Sequence, residues 1–137
     1  CENSGVIPAV NQLECHPFYQ REALKRTLDG YDIAFESWAS FAEGKNDIFK
    51  NAVLSSIGEK YGKSSAQVIL RWLIQRGIVV IPKSVKIERM RQNFDIFDFA
   101  LAPDDMAAIA ALDTDKTLFF DHADPERVKW IIHAFDK

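Results

Sequence analysis

Apolar positions along this chain change period repeatedly, and each change marks one kind of element giving way to another. Val6 to Leu13 is a short apolar run with Pro8 near its start, the pattern of a beginning strand. From Gln20 to Leu28 the residues Ala23, Leu24 and Leu28 fall at helical spacing, and Gly30 ends the run. Ile33, Ala34 and Phe35 lead a second strand toward Trp38, and Phe41 to Asp47, containing Gly44, reads as a loop. Helical spacing returns from Phe49, with Val53, Leu54, Ile57 and Tyr61 on one face and Gly62 closing it.

Ser64 or Ser65 can cap the next helix, its hydroxyl accepting from an otherwise unpaired backbone N–H. Within that helix Gln67, Arg71 and Gln75 recur every fourth position, while Val68, Ile69, Leu70, Trp72, Leu73 and Ile74 fill the rest. A narrow polar stripe on an apolar cylinder belongs to a helix packed on most of its sides. Gly77 stops it, and the β-branched run Ile78-Val79-Val80-Ile81 predicts a strand buried on both faces. A short helix follows over about Ile87 to Asn93. Pro103-Asp104-Asp105 then opens another, proline in the first turn and acids at the positive end of the dipole. Val128, Ile131, Ile132 and Phe135 predict a last amphipathic turn or two.

Strands alternating with helices imply a parallel sheet joined by crossovers. Three such strands left open would expose two unpaired edges, whereas a closed eight-stranded barrel takes about 250 residues. The expected fold class is therefore α/β, the C-terminal portion of a (β/α)8 TIM barrel, with residues 1–137 forming one partial domain. The chain starts at Cys1 rather than Met, almost directly before its first strand, and the expectation is of a start inside a longer protein.

Composition agrees with a globular domain: 47% hydrophobic and 27% charged residues among 137. Seventeen basic against twenty acidic residues give a net charge of −3, so no basic excess points to nucleic acid. No run approaches the ~18 apolar residues of a membrane span. Cys1 and Cys15 make neither a metal-ligand spacing nor a disulfide framework, which fits a reducing compartment, the cytoplasm. No metal site is expected.

The most informative stretch is Ile81-Pro82-Lys83-Ser84 with Arg89, Gln92 and Asn93 behind it. A strand ends, a lysine and a hydroxyl emerge at its tip, and a helix begins at once. Parallel barrels place their sites at this end, commonly with a phosphate site after the last two strands. Lys83 offers a point charge, Ser84 a hydroxyl, the helix start free N–H groups, and Arg89 a bidentate clamp one turn on. The spacing alone equally describes a lysine at a strand end beside a solvated helix.

Resemblance separates those readings. Ile81-Pro82-Lys83-Ser84, with Arg89 six and Asn93 ten positions after the lysine, resembles the signature after the last strand of aldo-keto reductases. The resemblance implies that Lys83, Ser84 and Arg89 hold the 2′-phosphate of NADP, with Val85 beside them. Gln92, at a position the family fills with Glu, and Asn93 would then contact the adenine. Val10-Asn11-Gln12-Leu13-Glu14-Cys15-His16-Pro17 resembles the family's sixth strand, giving Gln12 the nicotinamide carboxamide. Glu36-Ser37-Trp38-Ala39-Ser40-Phe41 resembles the seventh, where Trp38 would stack on the nicotinamide in place of the usual tyrosine. Phe41 joins the cofactor set there, and Ser40 stands where the family has proline. Gln67 to Arg76 and Phe97-Asp98-Phe99 also match the family's helix patterns. The bacterial type, similar to 2,5-diketo-gluconate reductases, fits best.

On that resemblance the chain corresponds to about strands six to eight plus the C-terminal helices. The parent would be an NADPH-dependent reductase of small-molecule aldehydes or ketones. The family's tyrosine, lysine, histidine and aspartate tetrad has no matching motif here, so no catalytic residue is assigned. The partner expected is the missing N-terminal part of the barrel. His16 reads as a structural histidine at the barrel mouth, and Glu14 with Glu36 as structural rather than an acid/base pair. The stretch from Phe119 to His122 resembles the loop bordering the substrate pocket, where Phe119 and Phe120 either touch substrate or pack on the barrel. Trp72 and Trp130 read as core and tail anchors. A non-catalytic nucleotide-binding half-barrel that oligomerises through its open edges, and a chain that never folds, remain the alternatives.

Overall fold

The computed structural model describes residues 4–121 and 124–134. The expectations attached to Cys1, His122 and Phe135 lie outside the described residues. Strand β1 (Val10–Glu14) leads through helix α1 (Glu22–Gly30) to β2 (Ala34–Trp38). Irregular 3₁₀ turns over Ala42–Lys50 precede α2 (Ala52–Tyr61) and α3 (Ser65–Gln75). Strand β3 (Val79–Val80) is followed by α4 (Ile87–Phe94), α5 (Pro103–Ala110) and α6 (Pro125–Ala134).

The three strands lie side by side and parallel in the order β1-β2-β3, with Gln12 opposite Glu36 and Glu36 opposite Val79. Side chains alternate across a strand, and the two faces of this sheet differ. Phe35 and Ser37 point under the helices and are buried, with Ile33, Ile69, Trp72, Leu73 and Ile78 in the same core. Val10, Gln12 and Val79 on the other face are exposed, and no described helix covers it. The expectation of a strand at 78–81 buried on both faces is therefore corrected. Only Val79 and Val80 pair, and Val79 and Ile81 are 46% and 55% exposed, because β3 is an edge strand packed on one face alone.

Local chemistry explains most boundaries. The Asn51 side chain accepts from the Val53 and Leu54 amides and starts α2. Ser64, not Ser65, caps α3 in a reciprocal box with Gln67. Gly77, at φ 72°, ends α3 in a backbone conformation that side chains disfavour, turning the chain into β3. Trp72 is a core residue at 1% exposure, as read from the sequence. Trp130 is not the anchor expected: it is 65% exposed on α6, a ten-residue helix with no buried side chain rather than a turn or two.

The polar stripe of α3 has a definite task. Gln67 Nε2 donates to the Asp95 carbonyl (2.8 Å), Arg71 to that of Ile96 (3.2 Å), and Gln75 to that of Leu101 (3.1 Å). Gln75 Oε1 also accepts from the Leu101 amide at 2.6 Å. Three side chains on one helix face thus stand in for a neighbouring strand and hold the chain between α4 and α5. Lys63 adds ion pairs to Asp95 and Asp98, both 2.8 Å, which raise its pKa. Gln67→Leu should remove the buried clamp and one half of the helix cap together. We expect a loss of about 2 kcal/mol in urea unfolding; a loss below about 0.5 kcal/mol would show that water replaces both bonds.

Candidate functional site

Beyond the end of β3 the chain turns through Lys83 and Ser84 into α4. The Ser84 hydroxyl accepts from the Lys86 amide (3.1 Å) and closes a tight turn, so α4 starts immediately. No side chain caps its first turn. Phe41 and Phe49, in ring contact at 5.6 Å, form the opposite wall, and Ser64 to Ala66 at the start of α3 form the floor.

These elements enclose a cavity of about 380 Å³. Phe41, Lys83, Ser84, Val85, Arg89, Gln92 and Asn93, all singled out from the sequence, line it. Lys86, Phe49 and the Ser64–Ala66 turn were missed. A serine pair opening a helix was the available signal, but nothing in the sequence placed that turn against Lys83. Lys83, Lys86 and Arg89 bring three positive charges to the wall, and no acidic side chain is among its lining residues. In a chain of net charge −3 this is a local concentration of cations. Exposed lysine and arginine, a hydroxyl and an uncapped helix start are the donors a phosphate group requires.

Gln12 and Trp38 lie outside that cavity, Gln12 midway along β1 and Trp38 at the tip of β2. Gln12 Nε2 donates to Glu36 Oε1 across the open sheet face. Trp38 is half-buried, with the Phe119 ring 4.9 Å away and tilted, and the Phe120 ring stacked at 6.1 Å. Ser40, at the family's proline position, is buried with its hydroxyl 2.8 Å from that of Ser37, which donates to the Cys15 carbonyl. The turn after β2 is thereby tied back to β1, while Ala39 and Ala42 take left-handed backbone angles, φ 52° and 49°.

Glu14 and Glu36 do not meet as an acid pair. Glu14 is buried and bonded to His16, whose Nε2 lies 2.9 Å from its Oε1, and Glu36 holds Gln12. Burial lowers the His16 pKa, opposed by its bond to Glu14. Its Nδ1 has no partner among the described residues. Burial likewise pushes the Cys15 thiol up to about 11, against the pull of Arg76, so Cys15 is an inert core thiol. No group of three or more candidate metal ligands occurs among the described residues. No helix there is long and apolar enough to cross a membrane.

Parallel strands with helices on one face define a parallel α/β segment, and a cationic cavity lies beyond its last strand. Residues 1–114 match the Aldo/keto reductase family, and the chain belongs to it. It is 44% identical over 117 residues to an aldo-keto reductase of Mycolicibacterium smegmatis, and 41% identical to methylglyoxal reductase DkgA of Escherichia coli. Both alignments take in 85% of this chain and 42% of the relative, so the chain spans less than half the length of these relatives. The solved structure of a Gox0644 variant in complex with NADPH superposes with a TM-score of 0.83 at 39% identity, over 88% of this chain and 44% of that one.

The buried His16 makes a pH prediction. Its folded-state pKa is lowered, so below the ordinary histidine range the unfolded chain binds the proton more readily. Its contribution to stability is complete above that range and is lost as pH falls through it. Urea midpoints should drop between about pH 8 and about pH 5, and His16→Gln should flatten that drop; an equal slope in the variant would assign it to other groups.

Proposed function

We propose that the cavity beyond β3 holds the 2′-phosphate and adenosine of NADP(H), and that the chain is the cofactor-gripping part of an NADPH-dependent reductase of small aldehydes and ketones. The observation that carries this reading is the convergence of Lys83, Lys86 and Arg89 with Ser84 on one acid-free cavity. The residues fit the group: Arg89 supplies a planar fork, Lys83 a point charge, Ser84 a hydroxyl, and α4 a first turn without a side-chain cap. Gln92 and Asn93, one to two turns along α4 on the same wall, are the amides available to adenine edges. The bound cofactor supplies the hydride for carbonyl reduction. Gln12 and Trp38 would orient its ring, an amide beside the carboxamide and a flat aromatic face beside the nicotinamide.

A relative seen with NADPH and relatives described as reductases support the same reading. The carbonyl substrate and the proton donor belong, in this reading, to strands that the described residues do not include. The free edges of β1 and β3 are where those strands would pair, closing the sheet over its uncovered face. The oligomerising half-barrel uses the same edges, and sedimentation distinguishes the two.

Two measurements test the proposal. Arg89→Ala should weaken NADPH by about tenfold to a hundredfold and NADH by less than about threefold, since only NADPH carries the extra phosphate. Equal losses would remove Arg89 from the phosphate site. The 137-residue chain by itself should show no NADPH-dependent carbonyl reduction; measurable turnover would place a proton donor within it.

A further inference from the structure

The segment after α5 does not drift off the barrel. The Thr114 amide and hydroxyl both donate to the Phe18 carbonyl, at 3.0 and 2.8 Å. Three residues on, the Thr117 hydroxyl donates to Glu14 Oε2 (2.5 Å) and the Leu118 amide to Glu14 Oε1 (3.0 Å). Lys45, from the turn after β2, donates to the Leu118 carbonyl at 2.8 Å and sits 3.7 Å over the Phe119 ring. Residues 114–120 are thus strapped across the tips of β1 and β2, which brings Phe119 and Phe120 against Trp38.

Glu14 is the hub. Its side chain is 3% exposed and is bonded to His16, Thr117 and Leu118. A buried carboxylate is costly without donors. Two of these three donors ride on the strap, so the strap cannot lift without leaving the charge short of partners. His16 supplies the third contact, its Nε2 2.9 Å from Glu14 Oε1.

We propose that Glu14 is a positioning residue: through Thr117 and Leu118 it fixes the strap that backs the Trp38 ring, and so sets the plane that ring offers to a nicotinamide. The aromatic contacts stand on geometry alone, and only the nicotinamide clause rests on the cofactor reading above. A ring backed by two phenylalanines loses little freedom when a second flat ring stacks on it, which is preorganisation.

Binding of two ligands to the full chain tests this. 2′,5′-ADP carries the adenosine with its 2′- and 5′-phosphates but lacks the second bridge phosphate and the nicotinamide riboside, so it reports on the cavity beyond β3 alone. Glu14→Gln and Thr117→Val should each weaken NADPH by roughly threefold to tenfold and leave 2′,5′-ADP within about twofold. Thr117→Ser, which keeps the hydroxyl, should bind both ligands like the parent. Fluorine NMR on fluorotryptophan-labelled chain gives a readout independent of any ligand: the Trp38 resonance should move in both variants while that of Trp72 stays. Equal weakening of both ligands, or a Trp38 resonance that does not move, overturns the latch. Failure of the parent to bind either ligand, with the Trp38 resonance still moving, overturns the cofactor reading and leaves the latch standing.

Discussion

One amide side chain ties the floor of the cationic cavity to the helix that forms its cationic wall. Gln67 Oε1 accepts from the Ser64 amide and hydroxyl, both at 3.0 Å, and its Nε2 donates to the Asp95 carbonyl just past α4. The start of α3 and the end of α4 are therefore held at one distance by a group that is 5% exposed. Ser64 to Ala66 form the floor and Lys83 to Asn93 supply one wall, so the cavity between them depends on this bond. Arg71 and Gln75 repeat the arrangement one and two turns along, and the connection to α5 is fixed as if it were another strand.

Electrostatics divides the strand tips into two unlike corners. Beyond β3 the chain gathers Lys83, Lys86 and Arg89 with no acid opposite, an arrangement whose self-repulsion an anion would relieve. Beyond β1 and β2 the charges are the buried Glu14 carboxylate and Lys45 over the Phe119 ring, and the surface is aromatic: Trp38, Phe119 and Phe120. A dinucleotide has the same polarity, phosphates at one end and a flat ring at the other. That correspondence, more than any single contact, links the two corners to one ligand in the proposed function.

Much of this was legible in the residues. Helix boundaries at Ser64, Gly77 and Pro103 follow from residues that act locally, whereas the helical spacing read from Phe49 becomes a helix only from Ala52, after the Asn51 cap. Seven proposed cofactor residues line one cavity, six of them on the short segment from Lys83 to Asn93. The strand at 78–81 misled because four β-branched residues signal burial on both faces, whereas here one face has no cover among the described residues. Trp130 misled for a related reason: its size and spacing suit a core, but α6 buries no side chain.

The order of strands and helices, their caps and the cluster Lys83, Ser84 and Arg89 were determined by sequence alone, since each depends on neighbours within about one or two turns. Only the tertiary structure decided that the α3 stripe would become a clamp rather than a solvated face. It alone put Ser64–Ala66 opposite Lys83, and Glu14 beneath Thr117, a pairing 103 residues apart along the chain. Periodicity shows which face of an element is polar, but the partner of that face comes from whichever distant segment packing delivers to it.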